Sequence, residues 1–354
     1  MAAFEKRRVS NTGLAVDTLG FGCASLGNLY HPVSDADARQ ILDSAWSRGF
    51  RYYDTAPHYG QGLSERRVGD ALRGFRGAEY VLSTKVGRLL KPSGYAEERH
   101  AFMSPMPFDI FYDYSYDGIM RSFEDSLQRL GLDRIDILYM HDIGAVTHGA
   151  RNEELFPVAM DGGYRAMDEL RSAGAVTAIG LGVNEYEVCE AALDYGDWDC
   201  FLLAGRYTLL EQEALNTFLP RCLESNCSIV IGGAYNSGIL ATGVRGKGSL
   251  YYNYEPAPAW VVGKVAKIED ACEEFGIQMA AAALQFPLAH PAVVSVIPGI
   301  GKPERIEQTL ELFNTGIPDD FWSALVERGL LRSDAPVPGT HTDGQASRHG
   351  MEGR

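Results

Sequence analysis

Three ionisable side chains stand at the ends of three consecutive strand-like segments of the sequence. Asp54 closes the segment FRYYD, Lys85 closes YVLSTK and His141 closes IDILYMH. Tyr59 lies in the short loop after the first of these segments. A phenol is a poor acid or base at neutral pH because its ordinary pKa is about 10. A nearby ammonium lowers that pKa by favouring the phenolate, so the four residues together can move one proton at a reacting oxygen.

None of these four side chains can carry out redox chemistry, so a reaction that transfers a hydride also needs a bound cofactor. Each residue alone also fits a structural role. Asp54 could cap a loop, Lys85 and His141 could be polar residues of a rim, and Tyr59 could be a packing aromatic. A different class of enzyme, a barrel aldolase or isomerase, would use Lys85 as a Schiff-base amine.

The segments that must position these residues alternate between strands and amphipathic helices. Strands are predicted at 19–22, 50–54, 80–85, 135–141, 176–183, 200–203, 228–232 and 293–297. Helices are predicted at 35–48, 64–73, 117–130, 164–173, 185–195, 211–224, 261–275 and 279–288. This alternation predicts an α/β fold, a (β/α)₈ TIM barrel, whose catalytic groups lie at the carboxyl ends of the strands. An open doubly wound sheet is the alternative, but the GxGxxG that usually follows its first strand is absent.

Three further segments are predicted as additions to the barrel. Residues 6–9 and 15–18 predict an N-terminal β-hairpin at the bottom of the barrel. The stretch 89–115 is longer than an ordinary connection and predicts a functional loop. Residues 1–332 are therefore expected to form the barrel with extra helices, and the polar residues 333–354 a partly disordered C-terminal tail.

Composition narrows the class of protein. The 354 residues carry a net charge of −15, with 32 Lys and Arg against 47 Asp and Glu. This balance disfavours nucleic acid and anionic membranes as partners. The six cysteines show no CxxC pair and no zinc-ligand spacing, so no metal site is expected. Without a signal peptide or an apolar stretch of ~20 residues, the sequence predicts a cytoplasmic protein that acts on a small molecule, as a monomer or a homodimer.

Several motifs resemble those of the aldo-keto reductase superfamily. They are DTAPHYG with LSERRVGDAL, then STKVG, LGLDRIDILYMHD, GVNEYE and IPGIGKPERIEQTL, in family order and spanning nearly the whole chain up to Arg332. The resemblance implies a barrel that binds an extended nicotinamide cofactor without a Rossmann domain. It also implies a catalytic tetrad of Asp54, Tyr59, Lys85 and His141, in which Tyr59 donates or accepts the proton.

The resemblance also implies a cofactor site, with departures from the family pattern. Asn184 and Glu185 stand where relatives carry a Ser-Asn pair for the carboxamide, and Ala204 replaces the usual glutamine. Tyr235 is expected to stack on the nicotinamide. Gly299 begins the dipeptide that replaces the Lys-Ser pair of NADP-preferring relatives, so NAD is expected as the preferred cofactor and NADP as a second one. The expected cofactor contacts are Gly22, Cys23, Asn184, Tyr235, Asn236, Ser237, Gly238, Leu240, Pro298, Gly299, Gly301, Arg305 and Gln308.

Four longer stretches resemble the branch of D-threo-aldose (L-fucose) and pyridoxal dehydrogenases: FGCASLGNLY, STKVGRLLKP, DYSYDGIMRSFEDSLQRLG and YNSGILATG. This branch implies the oxidation of a cyclic hemiacetal to a lactone. An aldose such as L-fucose, oxidised at C1, is the first expectation, and pyridoxal or a general aldehyde or ketone is the alternative. A redox-sensing regulatory subunit with little turnover is the alternative from another class. Substrate contacts are expected from Asn28, Tyr30, His58, Arg88 and Asp142.

Overall fold

The computed structural model describes residues 4–75, 78–246, 248–253 and 255–339. Eight parallel strands, hydrogen-bonded in chain order, form one sheet. Isolated parallel bridges between Leu19 and Val296 and between Gly22 and Gly299 join its first and last strands, which closes the barrel. The predicted (β/α)₈ fold is therefore confirmed. The strands are β1 (Phe21–Gly22), β2 (Tyr52–Asp54), β3 (Val81–Val86), β4 (Ile137–His141), β5 (Ala178–Val183), β6 (Cys200–Ala204), β7 (Ser228–Gly232) and β8 (Val293–Ile297).

Helices follow every strand, and most of them pack an apolar face against the outside of the barrel. Side-chain caps fix where two of them begin, because Ser34 accepts a hydrogen bond from the Asp37 amide and Ser115 accepts one from the Gly118 amide. The helices are α1 (Asp35–Ser47), α2 (Leu63–Leu72), α3 (Tyr116–Leu130), α4 (Ala145–His148), α5 (Asn152–Val158), α6 (Tyr164–Ser172), α7 (Glu187–Ala192), α8 (Phe218–Glu224), α9 (Ile239–Thr242), α10 (Ala259–Phe275), α11 (Met279–Gln285), α12 (Glu304–Asn314) and α13 (Asp319–Glu327).

The helix predicted at 211–224 is shorter in the structure, where a 3₁₀ turn at Glu213–Leu215 precedes α8. Pro220 explains the difference. A proline has no amide hydrogen and its ring clashes with the carbonyl four residues earlier, so it is tolerated only in the first turn of a helix. Because α8 begins at Phe218, Pro220 lies in that first turn.

Side chains alternate between the interior of the barrel and its helix-covered outside. Tyr52 and Tyr139 belong to the cluster that fills the interior, whereas their neighbours Tyr53 and Met140 belong to the outer core. The strands Lys6–Arg8 and Ala15–Asp17 pair as the predicted N-terminal hairpin. Val16 of that hairpin packs into the interior cluster. One end of the barrel is thus plugged by apolar residues, and polar groups are left for the other end.

The stretch predicted as a functional loop has regular structure of its own. Arg88–Pro92 pairs antiparallel with Phe108–Tyr112, and Glu98–Arg99 pairs with Phe102–Met103. The start of the predicted tail packs on the barrel, with Ala335 buried in the outer core, whereas residues 340–354 lie outside the described residues. Within the described ranges, no helix is both long enough and apolar enough to cross a membrane.

Candidate active site

The carboxyl ends of β2 and β3 place a buried ion pair at the open end of the barrel. Lys85 Nζ donates to Asp54 Oδ2 at 2.7 Å and to the Thr55 carbonyl at 2.9 Å. Both charged side chains are only 2% exposed. The hydroxyl of Ser83 donates to the second carboxylate oxygen, Asp54 Oδ1, at 2.7 Å. Every polar atom of the pair therefore has a protein partner, as a buried charge pair requires.

The loop after β2 brings Tyr59 to this ion pair. Lys85 Nζ lies 4.8 Å from the centre of the Tyr59 ring, so the ammonium is close enough to act on the charge of this phenol. Gly60 has a left-handed φ of +63°, and a Cβ there would overlap the carbonyl oxygen of Gly27. Only glycine fits this close backbone approach, which fixes the loop that carries Tyr59.

Electrostatics keep Lys85 protonated. Burial alone would lower the pKa of Lys85, but the Asp54 carboxylate and the Tyr59 hydroxyl outweigh burial and raise this pKa to about 12. An ammonium that holds its proton across the physiological range favours the phenolate form of the tyrosine it contacts. The three residues are thus arranged to take a proton from a substrate hydroxyl or to return one.

The fourth residue, His141, closes β4 and faces Tyr59, with 6.1 Å between the ring centres. Burial lowers the pKa of His141 well below its usual range, and the cations of Arg88 and Lys85 lower it further. The imidazole is therefore neutral at physiological pH and can donate from one ring nitrogen while the other accepts. Tyr114 fixes the end of the strand by donating to the His141 carbonyl at 2.8 Å.

Tyr59, Lys85 and His141 border a cavity of about 350 Å³ at the mouth of the barrel, and Asp54 lies behind Lys85 outside its lining. Of the predicted substrate contacts, His58, Arg88 and Asp142 line it. The remaining lining residues come from strand ends, from the segments that follow the strands and from the paired segment 88–112. They are Ala24, Leu29, Tyr59, Lys85, His100, Ala101, Phe102, His141, Thr147, Gly182, Val183, Asn184, Leu202 and Ala204.

Two predicted substrate contacts do not line this cavity. The amide of Asn28 is occupied, because it donates to the Met103 carbonyl at 2.9 Å and accepts hydrogen bonds from Arg67 and the Val33 amide. Tyr30 is 46% exposed beside this turn, and its amide donates to the Ala101 carbonyl. Asn28 therefore connects the β1 loop to the segment 88–112.

The predicted cofactor residues of β1 and β8 meet where the barrel closes. Gly22 bridges to Gly299, and its amide donates to the Pro298 carbonyl. Cys23 is buried, and its amide donates to the Asp54 carbonyl. Side chains at Gly299 and Gly301 would approach Ser25 to 3.2 and 3.3 Å, so the two glycines and Ser25 form a cradle of small residues.

A second group of predicted cofactor residues follows β7. Tyr235 is half-buried, and burial raises the pKa of its phenol to about 12 against the effect of the nearby Arg305 cation. Arg305 and Gln308 are exposed on α12. Asn184 lines the cavity, and Tyr235 and the small-residue cradle at Ser25 supply an aromatic ring and open backbone, which are the kinds of group that a nicotinamide dinucleotide requires.

The loop of Asn236, Ser237 and Gly238 has three consecutive left-handed residues, with φ of 44°, 58° and 93°. The side chain of Asn236 is occupied by the protein, since it accepts from Thr208 at 2.6 Å and donates to the Gly205 carbonyl at 3.0 Å. The Gly238 and Leu240 amides donate to the Tyr235 carbonyl. These hydrogen bonds shape the loop and occupy the Gly238 and Leu240 amides, which are therefore not free to donate to a cofactor.

Glu185 differs from the residue expected at this position in the family, and in the structure its carboxylate contacts the start of a helix. Its Oε1 accepts a hydrogen bond from the Val146 amide at 2.8 Å, at the start of α4. A carboxylate is favourable at this position because the first amides of a helix have no partners within the helix. Gly144 allows the contact, because a Cβ there would overlap the Glu185 carboxylate.

His100 and Phe102 line the cavity but are not among the residues predicted individually, although they lie in the stretch 89–115 that the sequence predicts to be functional.

Comparison with known proteins agrees with this geometry. The model of the aldo/keto reductase family matches residues 18–328. The pyridoxal 4-dehydrogenase of Microbacterium luteolum is 45% identical over 346 residues, which cover 94% of this chain and 99% of that protein. The D-threo-aldose 1-dehydrogenase of a Pseudomonas species is 38% identical over 324 residues, which cover 90% of this chain and 96% of that protein.

A solved structure shares the whole architecture. The holo form of an aldo-keto reductase from Bacillus halodurans superposes with a TM-score of 0.72 at 25% sequence identity, covering 96% of this chain and 99% of that one. The similarity therefore extends over the barrel and its additions.

Proposed function

The chain belongs to the aldo/keto reductase family, and on that premise we propose that it is an NAD⁺-linked dehydrogenase of cyclic hemiacetals. It is an oxidoreductase of the aldo-keto reductase type that uses a nicotinamide cofactor and a small-molecule substrate. The proposed reaction converts hemiacetal and NAD⁺ into lactone, NADH and a proton. An aldose such as L-fucose, oxidised at C1, is one candidate substrate. Pyridoxal, which would give its lactone, is the other, supported by the relative at 45% identity.

The observation that carries the proposal is the buried Lys85–Asp54 pair against Tyr59. Tyr59 takes the proton of the hemiacetal hydroxyl, and Lys85 stabilises the resulting charge. Asp54 holds the ammonium in place. Neutral His141 donates a hydrogen bond to the same substrate oxygen and orients it. A nicotinamide held by Asn184 and Tyr235 would supply the acceptor for the hydride that leaves the carbon carrying this oxygen.

The proposed cofactor contacts are Asn184 for the carboxamide, Tyr235 for the nicotinamide face and the cradle at Gly299 and Gly301 for the phosphates. We propose NAD as the preferred cofactor because Gly299 and Ile300 offer no cation or hydroxyl to a ribose 2′-phosphate. The remaining contacts in this proposal are Gly22, Cys23, Asn236, Ser237, Gly238, Leu240, Pro298, Arg305 and Gln308. The barrel unit 1–332 carries the activity in this proposal, in a cytoplasmic monomer or homodimer.

A substrate screen tests the proposed function. L-fucose, L-galactose, D-arabinose and pyridoxal are incubated with NAD⁺, and NADH is followed by its absorbance. We expect steady NADH formation with at least one hemiacetal and none from the Tyr59→Phe variant, which should still bind nucleotide. Undiminished turnover by Tyr59→Phe would falsify the assignment of the proton-transfer residue.

The same assay tests cofactor choice. We expect a higher kcat/KM for NAD⁺ than for NADP⁺, because one or two charge-assisted contacts to the 2′-phosphate are missing. Replacing Gly299 and Ile300 by Lys and Ser should raise kcat/KM for NADP⁺ on the order of tenfold, the usual effect of one hydrogen bond to a charged group. A large NADP⁺ advantage in the unchanged enzyme would contradict the proposal.

Two other classes of protein make different predictions. An aldolase or isomerase acting through Lys85 would form a substrate imine that borohydride traps, and would turn over without nicotinamide. A regulatory subunit would retain its cofactor tightly and turn over very slowly. The Lys85 ammonium donates to two acceptors, the Asp54 carboxylate and the Thr55 carbonyl, and stays protonated, which disfavours it as an imine-forming amine.

A further inference from the structure

We propose that Arg88 determines substrate specificity by donating a hydrogen bond to an oxygen that the substrate carries close to its reacting carbon. The inference rests on the proposed function and concerns the side of the cavity next to the four proton-transfer residues. It assigns to Arg88 and His58 a subsite for one acceptor oxygen.

One nitrogen of the Arg88 guanidinium, Nε, carries the proposal. Arg88 lines the cavity and its side chain is 7% exposed. Its Nη2 pairs with Asp142 Oδ2, and its Cζ atom lies 5.3 Å from the centre of the Tyr112 ring. Its Nε is buried and has no hydrogen-bond partner among the residues that the structure describes. A buried donor without a partner is costly, and an oxygen atom of a ligand in the cavity would remove that cost.

Asp142 holds the guanidinium and has little capacity left for a ligand. It follows β4 with a left-handed φ of 48° and is 7% exposed. Its Oδ2 accepts from Arg88, and its Oδ1 accepts from Asn184 Nδ2 at 3.1 Å. Because each carboxylate oxygen accepts from a neighbouring side chain, Asp142 fixes the orientation of Arg88 in the cavity wall. Asn184, the proposed carboxamide contact, therefore connects this ion pair to the proposed cofactor site.

His58 provides the second wall of the subsite. Its ring centre lies 6.0 Å from that of His141 and 6.5 Å from that of Tyr59, so the three rings border one corner of the cavity. The Nδ1 atom of His58 is also buried without a hydrogen-bond partner in the described ranges. Burial, together with the Arg88 cation, lowers the pKa of His58 well below its usual value, so the ring is neutral and can accept as well as donate.

A neutral histidine beside a guanidinium edge suits an oxygen that accepts from Arg88 and, when it is a hydroxyl, donates to His58. Two kinds of hemiacetal offer such an oxygen. An aldose has the C2 hydroxyl, and pyridoxal has the phenolic oxygen on the ring carbon next to the one that bears its aldehyde. A substrate that lacks this oxygen would leave the Arg88 donor unpaired, and sites of this kind discriminate strongly against such analogues.

The test crosses one variant with matched substrates. L-fucose is compared with 2-deoxy-L-fucose, and pyridoxal with 3-deoxypyridoxal, by kcat/KM with NAD⁺. In the unchanged enzyme we expect removal of the oxygen to lower kcat/KM on the order of 10- to 100-fold for the true substrate class. Arg88→Lys keeps a cation for Asp142 but lacks the Nε donor. In this variant, removal of the substrate oxygen should lower kcat/KM only a few-fold. Arg39→Lys, a substitution in an exposed ion pair, is the matched control and should keep the full discrimination.

A second variant covers the case in which Arg88→Lys misfolds. Arg88→Met combined with Asp142→Leu removes both charges, so neither stays buried alone. It should show the same small effect of deoxygenation. Equal losses on deoxygenation in the unchanged enzyme and in these variants would overturn the subsite while hemiacetal oxidation stands. Turnover of no hemiacetal by the unchanged enzyme would overturn the proposed function and the subsite with it. The substrate pair that shows the discrimination identifies the class.

Discussion

At the residue scale, the proposed proton transfer depends on the positive charge of one buried residue, Lys85. Lys85→Met removes the cation that favours the Tyr59 phenolate, so we expect kcat/KM to fall on the order of 10³-fold. The rise of kcat/KM with pH should also move to higher pH in this variant, because the phenol no longer has a neighbouring ammonium. Lys91→Met is the control, since Lys91 is exposed on the paired segment 88–112. A pH profile that stays in place in Lys85→Met would contradict this role.

Ser83 is a positioning residue in the same network. Its hydroxyl lies 2.7 Å from Asp54 Oδ1 and 3.3 Å from the Tyr52 hydroxyl, so its single hydrogen goes to the carboxylate. Ser83→Ala therefore removes one of the two side-chain donors to this carboxylate. We expect kcat to fall about tenfold with little change in KM, the effect of one hydrogen bond to a charged group. Ser295→Ala is a matched control, because Ser295 is a fully buried barrel serine whose Oγ has no partner among the described residues. Equal effects of both variants on kcat would show that Ser83 acts only through packing.

Single residues differ in how far their roles can be predicted from sequence. The structure brings Asp54, Lys85 and His141 together because interior-facing positions at the ends of neighbouring parallel strands must converge. Asn28 and Asn236 carry the same chemical groups as ligand-binding residues, but nearby backbone groups occupy their amides. Nothing in the sequence separates the two cases, because the partners are far away along the chain.

Helices and strands can be predicted from the sequence where neighbouring residues determine where they begin and end. The helix caps at Ser34 and Ser115, and the glycine at position 131 that ends α3, are short-range signals that the structure shows in use. The pairing of Arg88–Pro92 with Phe108–Tyr112 was not predicted, since antiparallel pairing across a long excursion depends on register between distant residues. The predicted functional stretch 89–115 is consequently a paired arm beside the cavity.

One buried carboxylate connects three elements on the outside of the barrel. Glu65 of α2 is fully buried, accepts from Thr84 of β3 at 2.8 Å and pairs with Arg129 of α3. Glu65→Ala should lower the free energy of unfolding by about 3 kcal/mol, because it leaves the Arg129 cation without its partner. Glu65→Gln, which keeps an acceptor oxygen, should cost less. Urea denaturation measures both, and equal stability of Glu65→Ala and the unchanged protein would contradict the structural role.

At the scale of the whole molecule, burial in the fold sets the pKa of a histidine that lies outside the group of proton-transfer residues. His290 precedes β8, far from the proton-transfer residues along the chain, and is 4% exposed. Its Nδ1 accepts a hydrogen bond from the Ala292 amide at 3.2 Å, which only the neutral ring can do. Burial lowers the pKa of His290 from 6.5 to about 4. The folded protein therefore keeps this ring neutral at a pH where the unfolded chain is already protonated.

The difference in proton binding fixes the direction of the pH effect. Below pH 6.5 the unfolded chain binds a proton that the folded protein does not bind until about pH 4, so stability falls as pH drops through this window. At about 1.4 kcal/mol per pKa unit, His290 should cost roughly 2 kcal/mol of the free energy of unfolding between pH 6.5 and about pH 5. His290→Asn keeps an acceptor for Ala292 but does not titrate, so its urea midpoint should fall less on acidification than that of the unchanged protein. His31→Asn, at an exposed position, should fall as much as the unchanged protein. Identical acid sensitivity in His290→Asn would show that the buried ring does not contribute to the loss.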